Sequence, residues 1–192
     1  MTNPTTRVTR PRGQTRQRIL DTALRRFAEH GYAATSVRDL ADELGLTKAA
    51  VHYHFAAKEQ IVVALVTPTL DRLSAVVEAQ AASPAGPRAL LLGLRDVLTE
   101  SGPTLSVLAA DPSIVEPLPL LHAEIDRLTA RTAEVLAGAD ASADRLLRAH
   151  CALGAFRAGW DVALRGRVGR TPGAIHDADF DVLLDAALAC LG

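Results

Sequence analysis

The chain has 192 residues and a formal net charge of −1, and 48% of its residues are hydrophobic against 22% charged. This composition is typical of a globular protein that can bury a core. We expect no membrane span, because no apolar run approaches the ~18–20 residues that a span needs, and no secretory signal, because residues 1–13 lack an apolar segment. The sequence therefore predicts a cytoplasmic protein with no membrane partner.

The near-zero net charge conceals an uneven distribution of charge along the chain. Residues 1–60 carry ten Lys and Arg against six Asp and Glu, whereas residues 61–192 carry eleven against sixteen. Residues 1–14 combine arginines with Thr, Pro, Gly and Gln, which cannot form a packed core, so we expect a disordered basic arm. Such an arm either contacts DNA or is an ordinary solvated terminus.

The first predicted helix runs from Thr15 to His30, where apolar residues recur at helical spacing, and Gly31 ends it. A second, short helix begins at Ser36. Ser36 and Asp39 have the spacing of a capping box, and an apolar stripe follows at i, i+3, i+4 and i+7.

A third predicted helix follows after a glycine turn. Gly45 suits the left-handed conformation that ends a helix, and Thr47 caps a helix from Lys48 to about His54. One side of this helix is apolar, and the other presents Ala49, His52 and Tyr53. Two short helices joined in this way are typical of a helix-turn-helix, whose second helix enters the DNA major groove, although an ordinary αα-hairpin has the same local pattern.

The rest of the chain also reads as helical, and no segment alternates with period two, so the fold class is all-α. We predict a kink or break near Pro68, a proline-rich loop at residues 82–87, and further helices at about 57–82, 88–100, 103–110, 112–136, 143–165 and 177–191. We expect a helix-turn-helix domain over residues 15–60 and a larger ligand-binding and dimerisation domain over 61–192.

The last two predicted helices are apolar on more than one side. Small residues in the first of them permit close approach of backbones, and the second carries a long apolar stripe. A homodimer built as a four-helix bundle from two copies of this pair is one interpretation, and a larger core within one chain is the other. The predicted contacts with the second copy are Gly154, Ala155, Ala158, Phe180, Leu184 and Leu188.

Few other residues carry a chemical signal. His52 and His54 are two apart on a helix and point about 200° apart, so they cannot share a metal ion, and we predict neither a metal site nor a cofactor. Cys151 and Cys190 are expected to be buried free thiols. A ligand pocket lined by His122, Phe156 and Trp160 is a hypothesis, and simple core packing of the two aromatic residues is the alternative.

One stretch resembles a known family. Gly31-Tyr32, residues 35–41, residues 44–47, residues 53–55 and Lys58 together are similar to the DNA-binding signature of the tetracycline-repressor (TetR) family of transcriptional regulators. The resemblance covers about fifty residues from Thr15 onward. It implies a three-helix DNA-binding head, a divergent helical domain that binds a small-molecule effector, and a homodimer on a palindromic operator in double-stranded DNA.

The resemblance also implies roles for individual residues. Lys48, Ala49 and Ala50 match the base-reading start of the recognition helix, and Lys48 is the best candidate for guanine. Tyr53, His54 and Lys58 match phosphate contacts. His52 stands where most members have tyrosine. The further candidate DNA contacts are Arg16, Ser36, Arg38 and Thr47.

The sequence thus predicts a ligand-responsive repressor that is not an enzyme. The rival hypothesis is a DNA-bound adaptor whose C-terminal half binds a protein partner, which a flat exposed apolar patch would favour.

Overall fold

The computed structural model describes residues 12–110, 114, 118–164 and 177–192. Within these ranges the chain is helical and has no strand, as the all-α class predicted. The helices are α1 (Arg12–His30), α2 (Val37–Leu44), α3 (Lys48–His54), α4 (Lys58–Ala82), α5 (Pro87–Glu100), α6 (Gly102–Ala110), α7 (Pro119–Ala137), α8 (Ala143–Leu164) and α9 (Asp177–Leu191). Most of the predicted arm, and the predicted helix start at residues 111–113, lie outside the described ranges.

The chain divides into two compact units, Met1–Val62 and Val63–Gly192. We call the first unit the head. Its core comes from the apolar stripes of α1, α2 and α3 and from Ile61 at the start of α4, which meet because a single helix cannot bury its own apolar face. The fully or nearly fully buried side chains of this core include Ile19, Ala23, Phe27, Leu40, Val51, Phe55 and Ile61.

The second unit has a larger core, in which α5, α7, α8 and α9 contribute most of the buried side chains. Phe156 and Trp160 stack with their ring centroids 6.2 Å apart, and Phe180 meets Phe156 edge-on at 5.8 Å. Helices α8 and α9 approach closely at Gly159, where an added Cβ would lie 1.9 Å from Leu183 Cδ2. A side chain at this position would therefore displace the Leu183 side chain of the same chain.

Helix α4 differs from the prediction in one respect. It continues from Lys58 to Ala82 with Pro68 inside it, so the predicted break does not occur. It is also long and apolar enough to cross a membrane by length and composition alone, and no other helix among the described residues is. A core helix of a globular protein passes the same test, so this finding does not overturn the expectation of no membrane span.

The predicted dimer contacts on α9 need correction. Phe180 and Leu184 are 1% exposed and lie in the core of their own chain, and Leu188 packs partly against the same core. Because these side chains are buried within their own chain, Phe180 and Leu184 cannot contact a second copy. Cys151 is also exposed rather than buried, although both cysteines are free thiols.

Candidate nucleic-acid interface

The start of α2 is fixed by a reciprocal pair of hydrogen bonds. The Asp39 backbone N–H donates to Ser36 Oγ at 3.2 Å, and the Ser36 backbone N–H donates to Asp39 Oδ2 at 2.7 Å. The Ser36 hydroxyl also donates to Asp39 Oδ2, at 2.7 Å. The hydroxyl and backbone hydrogen bonds from Ser36 hold the pKa of Asp39 below its ordinary value. The predicted capping box is confirmed.

The turn from α2 to α3 has the conformation that the sequence predicted. Gly45 adopts the left-handed region with φ of 65°, and its N–H returns to the carbonyls at the end of α2. Thr47 then caps α3, because its Oγ1 accepts a hydrogen bond from the Ala50 N–H at 3.1 Å. Two fixed helix ends so close together leave little freedom in the angle between α2 and α3.

Helix α3 has one buried and one exposed side. Val51 and the following Phe55 are buried in the head, whereas Lys48, Ala49 and His52 are exposed. Tyr53 is 67% exposed although it is aromatic, and it meets the His54 ring edge-on at 5.3 Å. The exposed side carries a cation, hydrogen-bonding groups and a methyl group, which are the groups that read and position DNA.

Further basic side chains lie on the other helices of the head. Arg38 on α2 has an 81% exposed side chain, and its Nε lies 3.7 Å from Asp42 one turn later. Arg16 on α1 is exposed, and its guanidinium lies 5.0 Å from the centroid of the Phe55 ring at the end of α3. An ion pair as exposed as that of Arg38 is weak, so this side chain can exchange its carboxylate for a phosphate.

Lys58 differs from these exposed cations. Its Nζ donates hydrogen bonds to the backbone oxygens of Tyr32 at 2.8 Å and Thr35 at 3.0 Å, and it lies 3.8 Å from the centroid of the Tyr32 ring. The Tyr32 hydroxyl donates to Glu59 Oε1 at 3.3 Å. Burial, with the Glu59 carboxylate beside it, raises the pKa of Tyr32 to about 12. Sequence reasoning missed the contacts of Tyr32 and Glu59, because pairs more than 20 residues apart leave no local pattern.

The proposed pocket residues of the second unit lie in different environments. His122 is exposed, and its Nδ1 lies 3.1 Å from the Leu118 oxygen one turn back. Phe156 and Trp160 are buried core residues, as the packing alternative predicted. The Trp160 indole nitrogen is nevertheless buried and finds no hydrogen-bond partner among the described residues. Among the described residues, no group of three His, Cys, Asp or Glu side chains is placed to hold a metal ion.

Comparison with known proteins agrees with this geometry. The family model for bacterial regulatory proteins of the tetR family matches residues 19–65. The chain is 42% identical over 62 residues to the transcriptional repressor AcnR of Corynebacterium diphtheriae, which is 32% of this chain and 33% of that protein. It is 40% identical over 79 residues to the transcriptional repressor KstR2 of Mycobacterium tuberculosis, which is 41% of this chain and 40% of that protein. The match thus spans between a third and two fifths of these curated relatives.

The likeness to solved structures extends over most of the chain. The TetR family regulator PfmR of Thermus thermophilus aligns over 91% of this chain and 97% of its own, with a TM-score of 0.61 and 26% identity. KstR2 aligns over 93% of both chains with a TM-score of 0.60, and at 21% identity this likeness concerns the fold alone.

A capped helix-turn-helix whose second helix is exposed, in a head of three helices, is typical of a helix-turn-helix DNA-binding domain. The second unit adds the larger helical domain found in the solved structures that the chain resembles. The head, which the family model matches over residues 19–65, is a DNA-binding domain of the TetR type.

Proposed function

We propose that the protein is a cytoplasmic, homodimeric transcriptional repressor that binds a palindromic operator through α3 and is released from it by a small apolar molecule. The observation that carries the proposal is the division of α3 into a buried side at Val51 and an exposed side at Lys48, Ala49, His52 and Tyr53. The curated relatives AcnR and KstR2 are both named repressors, which supports the direction of control.

The roles within the interface follow from chemistry and position. In this proposal Lys48, at the start of α3, donates to guanine O6 and N7, and Ala49 and Ala50 contact thymine methyl groups. Tyr53 and His54, toward the end of the helix, contact phosphates. Arg16 and Arg38 add phosphate contacts from α1 and α2. The hydroxyls of Ser36 and Thr47 cap α2 and α3, so they act by fixing the helix ends at the DNA surface.

The dimer contacts that we propose lie on the exposed stripes of α8 and α9. The α8 residues are spaced three or four apart and so share one face. An added Cβ at Gly154 would meet nothing within 4 Å. The stripe on α8 consists of Leu147, Cys151, Gly154, Ala158 and Val162, with Ala155 at its edge, and the stripe on α9 consists of Val182, Ala186 and Ala189. Exposed apolar residues repeated along one face of a helix favour burial against another helix.

The effector proposal rests on Trp160. Its side chain is 6% exposed, and its indole N–H has no acceptor within the part of the chain that the structure describes. A buried donor without an acceptor is unfavourable by about 1–3 kcal/mol, and a bound molecule with a hydrogen-bond acceptor would remove that penalty. We therefore propose an apolar effector that carries a carbonyl, ether or carboxylate oxygen near Trp160 and Phe156. Such a molecule shifts the protein toward whichever state it binds more tightly.

Selection of DNA by the purified protein tests the DNA-binding part of the proposal. Duplexes of random sequence are incubated with the protein, and the bound fraction is amplified and sequenced. We expect enrichment of a palindrome with half-sites about one or more helical turns apart, because a two-fold dimer presents two copies of α3. Enrichment of no sequence over the starting pool would contradict the proposal.

Tryptophan fluorescence tests the effector part, because Trp160 is the only tryptophan in the chain. Pairs of apolar molecules that differ only in one acceptor oxygen, such as a cyclic ketone and its hydrocarbon, are titrated into the protein. We expect the ketone to shift the emission and to weaken binding to the enriched duplex, and the hydrocarbon to act more weakly on both. Equal effects of the two molecules would contradict the acceptor role assigned to the effector.

A further inference from the structure

The first turn of α4 is bound to the link between α1 and α2. Lys58 Nζ donates to the backbone oxygens of Tyr32 and Thr35 at 2.8 and 3.0 Å, and the Tyr32 hydroxyl donates to Glu59 Oε1 at 3.3 Å. The Tyr32 ring also lies 3.8 Å from Lys58 Nζ. We call Tyr32, Thr35, Lys58 and Glu59 the latch. Its two halves are separated by more than 20 residues of sequence, so it joins parts of the head that no local structure joins.

The latch holds a segment that decides where α2 begins. Thr35 is buried, and its hydroxyl donates to the Gly31 oxygen at 2.9 Å, while its N–H donates to the Tyr32 oxygen at 3.1 Å. Lys58 supplies a charged donor to this closely hydrogen-bonded link. The next residue, Ser36, is the N-cap of α2. A change in the link therefore moves the start of α2 and, through the fixed turn that follows, the orientation of α3.

The same turn of α4 is also tied to the far end of α3. His52 Nδ1 lies 3.1 Å from the Ala56 oxygen, and the Ala56 N–H donates to Gln60 Oε1 at 2.8 Å. The recognition helix is thus connected to the start of α4 at both ends, through the link and α2 at one end and through Ala56 at the other.

We propose that Lys58 and Glu59 are positioning residues for DNA recognition, which hold α2 and α3 in the orientation that reads bases, and that the charge of Lys58 is directed into the head rather than to phosphate. This proposal rests on the proposed function of α3. It departs from the phosphate contact that family resemblance implies for Lys58. The two carbonyl oxygens and the Tyr32 ring surround the ammonium, whereas Lys48, Arg38 and Arg16 are exposed and available to DNA.

The test compares two duplexes, one enriched by the wild-type protein from a random pool and one with the same composition in scrambled order. Lys58→Met keeps the length of the side chain and removes the charge, and Arg88→Met removes one charge from an exposed position outside the head. We expect Lys58→Met to lose about tenfold or more in affinity for the enriched duplex and less than about twofold for the scrambled one. The slope of log affinity against log salt should stay as in the wild type, and Arg88→Met should change none of these values.

Two results would overturn the proposal. Equal losses on both duplexes, with a salt slope lowered by about 0.9, would show a phosphate contact. If Lys58→Met is folded and binds both duplexes with unchanged affinity, and only its thermal midpoint is lower, Lys58 stabilises the fold but does not position the helices for DNA. All affinities are measured well below the melting temperature, and circular dichroism verifies the fold.

A second variant keeps the test valid if Lys58→Met does not fold. Tyr32→Phe keeps every charge and the ring, and removes the hydroxyl that donates to Glu59. We expect the affinity for the enriched duplex to fall about threefold or more and the affinity for the scrambled duplex to stay the same. An unchanged ratio of the two affinities would overturn the proposal. If the wild type enriches no duplex, the proposed function fails and the latch proposal fails with it. If the wild type prefers the enriched duplex and both folded variants keep that preference, the latch proposal alone is contradicted.

Discussion

At the scale of single residues, the head is determined by hydrogen bonds at helix ends. Ser36 with Asp39, Gly45 and Thr47 each act within four residues of the chain, and each adopts the conformation that its neighbours in the sequence predicted. Together they set where α2 ends and α3 begins. The caps and the glycine turn thus help to set which side of α3 is exposed.

The capping box gives a prediction about pH. Because hydrogen bonds from Ser36 lower the pKa of Asp39, its contribution to stability is present above the unfolded-state pKa and is lost as pH falls through the folded-state value. We expect Asp39→Asn to lower the urea midpoint at pH 7. The difference in midpoint from the wild type should shrink as pH falls below about 4. Asp42→Asn, one turn further along the exposed side of α2, should show a smaller gap. A gap for Asp39→Asn that is the same in strong acid as at neutral pH would contradict the assigned role of the carboxylate.

The residues that the sequence could and could not predict differ in the range of their contacts. The capping box, the glycine turn and the two sides of α3 follow from spacings of three or four residues. Lys58 contacts backbone oxygens 23 and 26 residues away, and these partners depend on how α4 packs within the head. Its environment therefore could not be read from its neighbours, and family resemblance alone gave a different role.

At the scale of elements, helical periodicity predicted the helices better than it predicted which of their sides are buried. Helix α9 occupies the predicted residues 177–191. Its most conspicuous apolar residues, Phe180 and Leu184, pack within their own chain, and Val182 remains 67% exposed. When a helix has apolar residues on several sides, the helices packed against it decide which side is buried. A single sequence does not show which helices those are.

The contact between α8 and α9 gives a prediction about packing. Gly159→Ala would place a methyl group against Leu183, whereas Gly154→Ala on the same helix would meet nothing within 4 Å. We expect Gly159→Ala to lower the free energy of unfolding by about 1–3 kcal/mol through overpacking. Gly154→Ala should leave it unchanged or raise it by up to about 1 kcal/mol, since alanine favours a helix. Both values come from urea unfolding of the monomeric protein, at a concentration below the dissociation constant of the dimer, because Gly154 also lies on the proposed dimer interface. Equal effects would contradict the close approach at Gly159.

At the scale of the whole molecule, the proposed operator requires two copies of the head. The exposed stripes of α8 and α9 are the surfaces on which we base the dimer, and small residues at Gly154 and Ala158 allow close approach of two helices. The sequence predicts both positions as dimer contacts, and both are exposed in the single chain.

The dimer gives a prediction about association. Val182→Asp places a charge on the proposed interface and changes little in the single chain, since Val182 is 67% exposed. We expect sedimentation analysis to show a dissociation constant raised by about tenfold or more, because burying an unpaired carboxylate is costly. Leu120→Asp on α7, at a position that is 86% exposed and outside both stripes, is the matched control and should remain dimeric. A Val182→Asp protein as dimeric as this control would place the interface elsewhere.

The most direct test of the central claim, that the exposed side of α3 reads DNA, is the affinity of Lys48→Ala for the enriched and the scrambled duplex at two salt concentrations. We predict that the wild type prefers the enriched duplex and that Lys48→Ala reduces this preference by about tenfold, the size of one lost base contact, while Arg88→Ala leaves it intact. A preference that Lys48→Ala retains in full, or a wild-type protein with no preference, would contradict the claim.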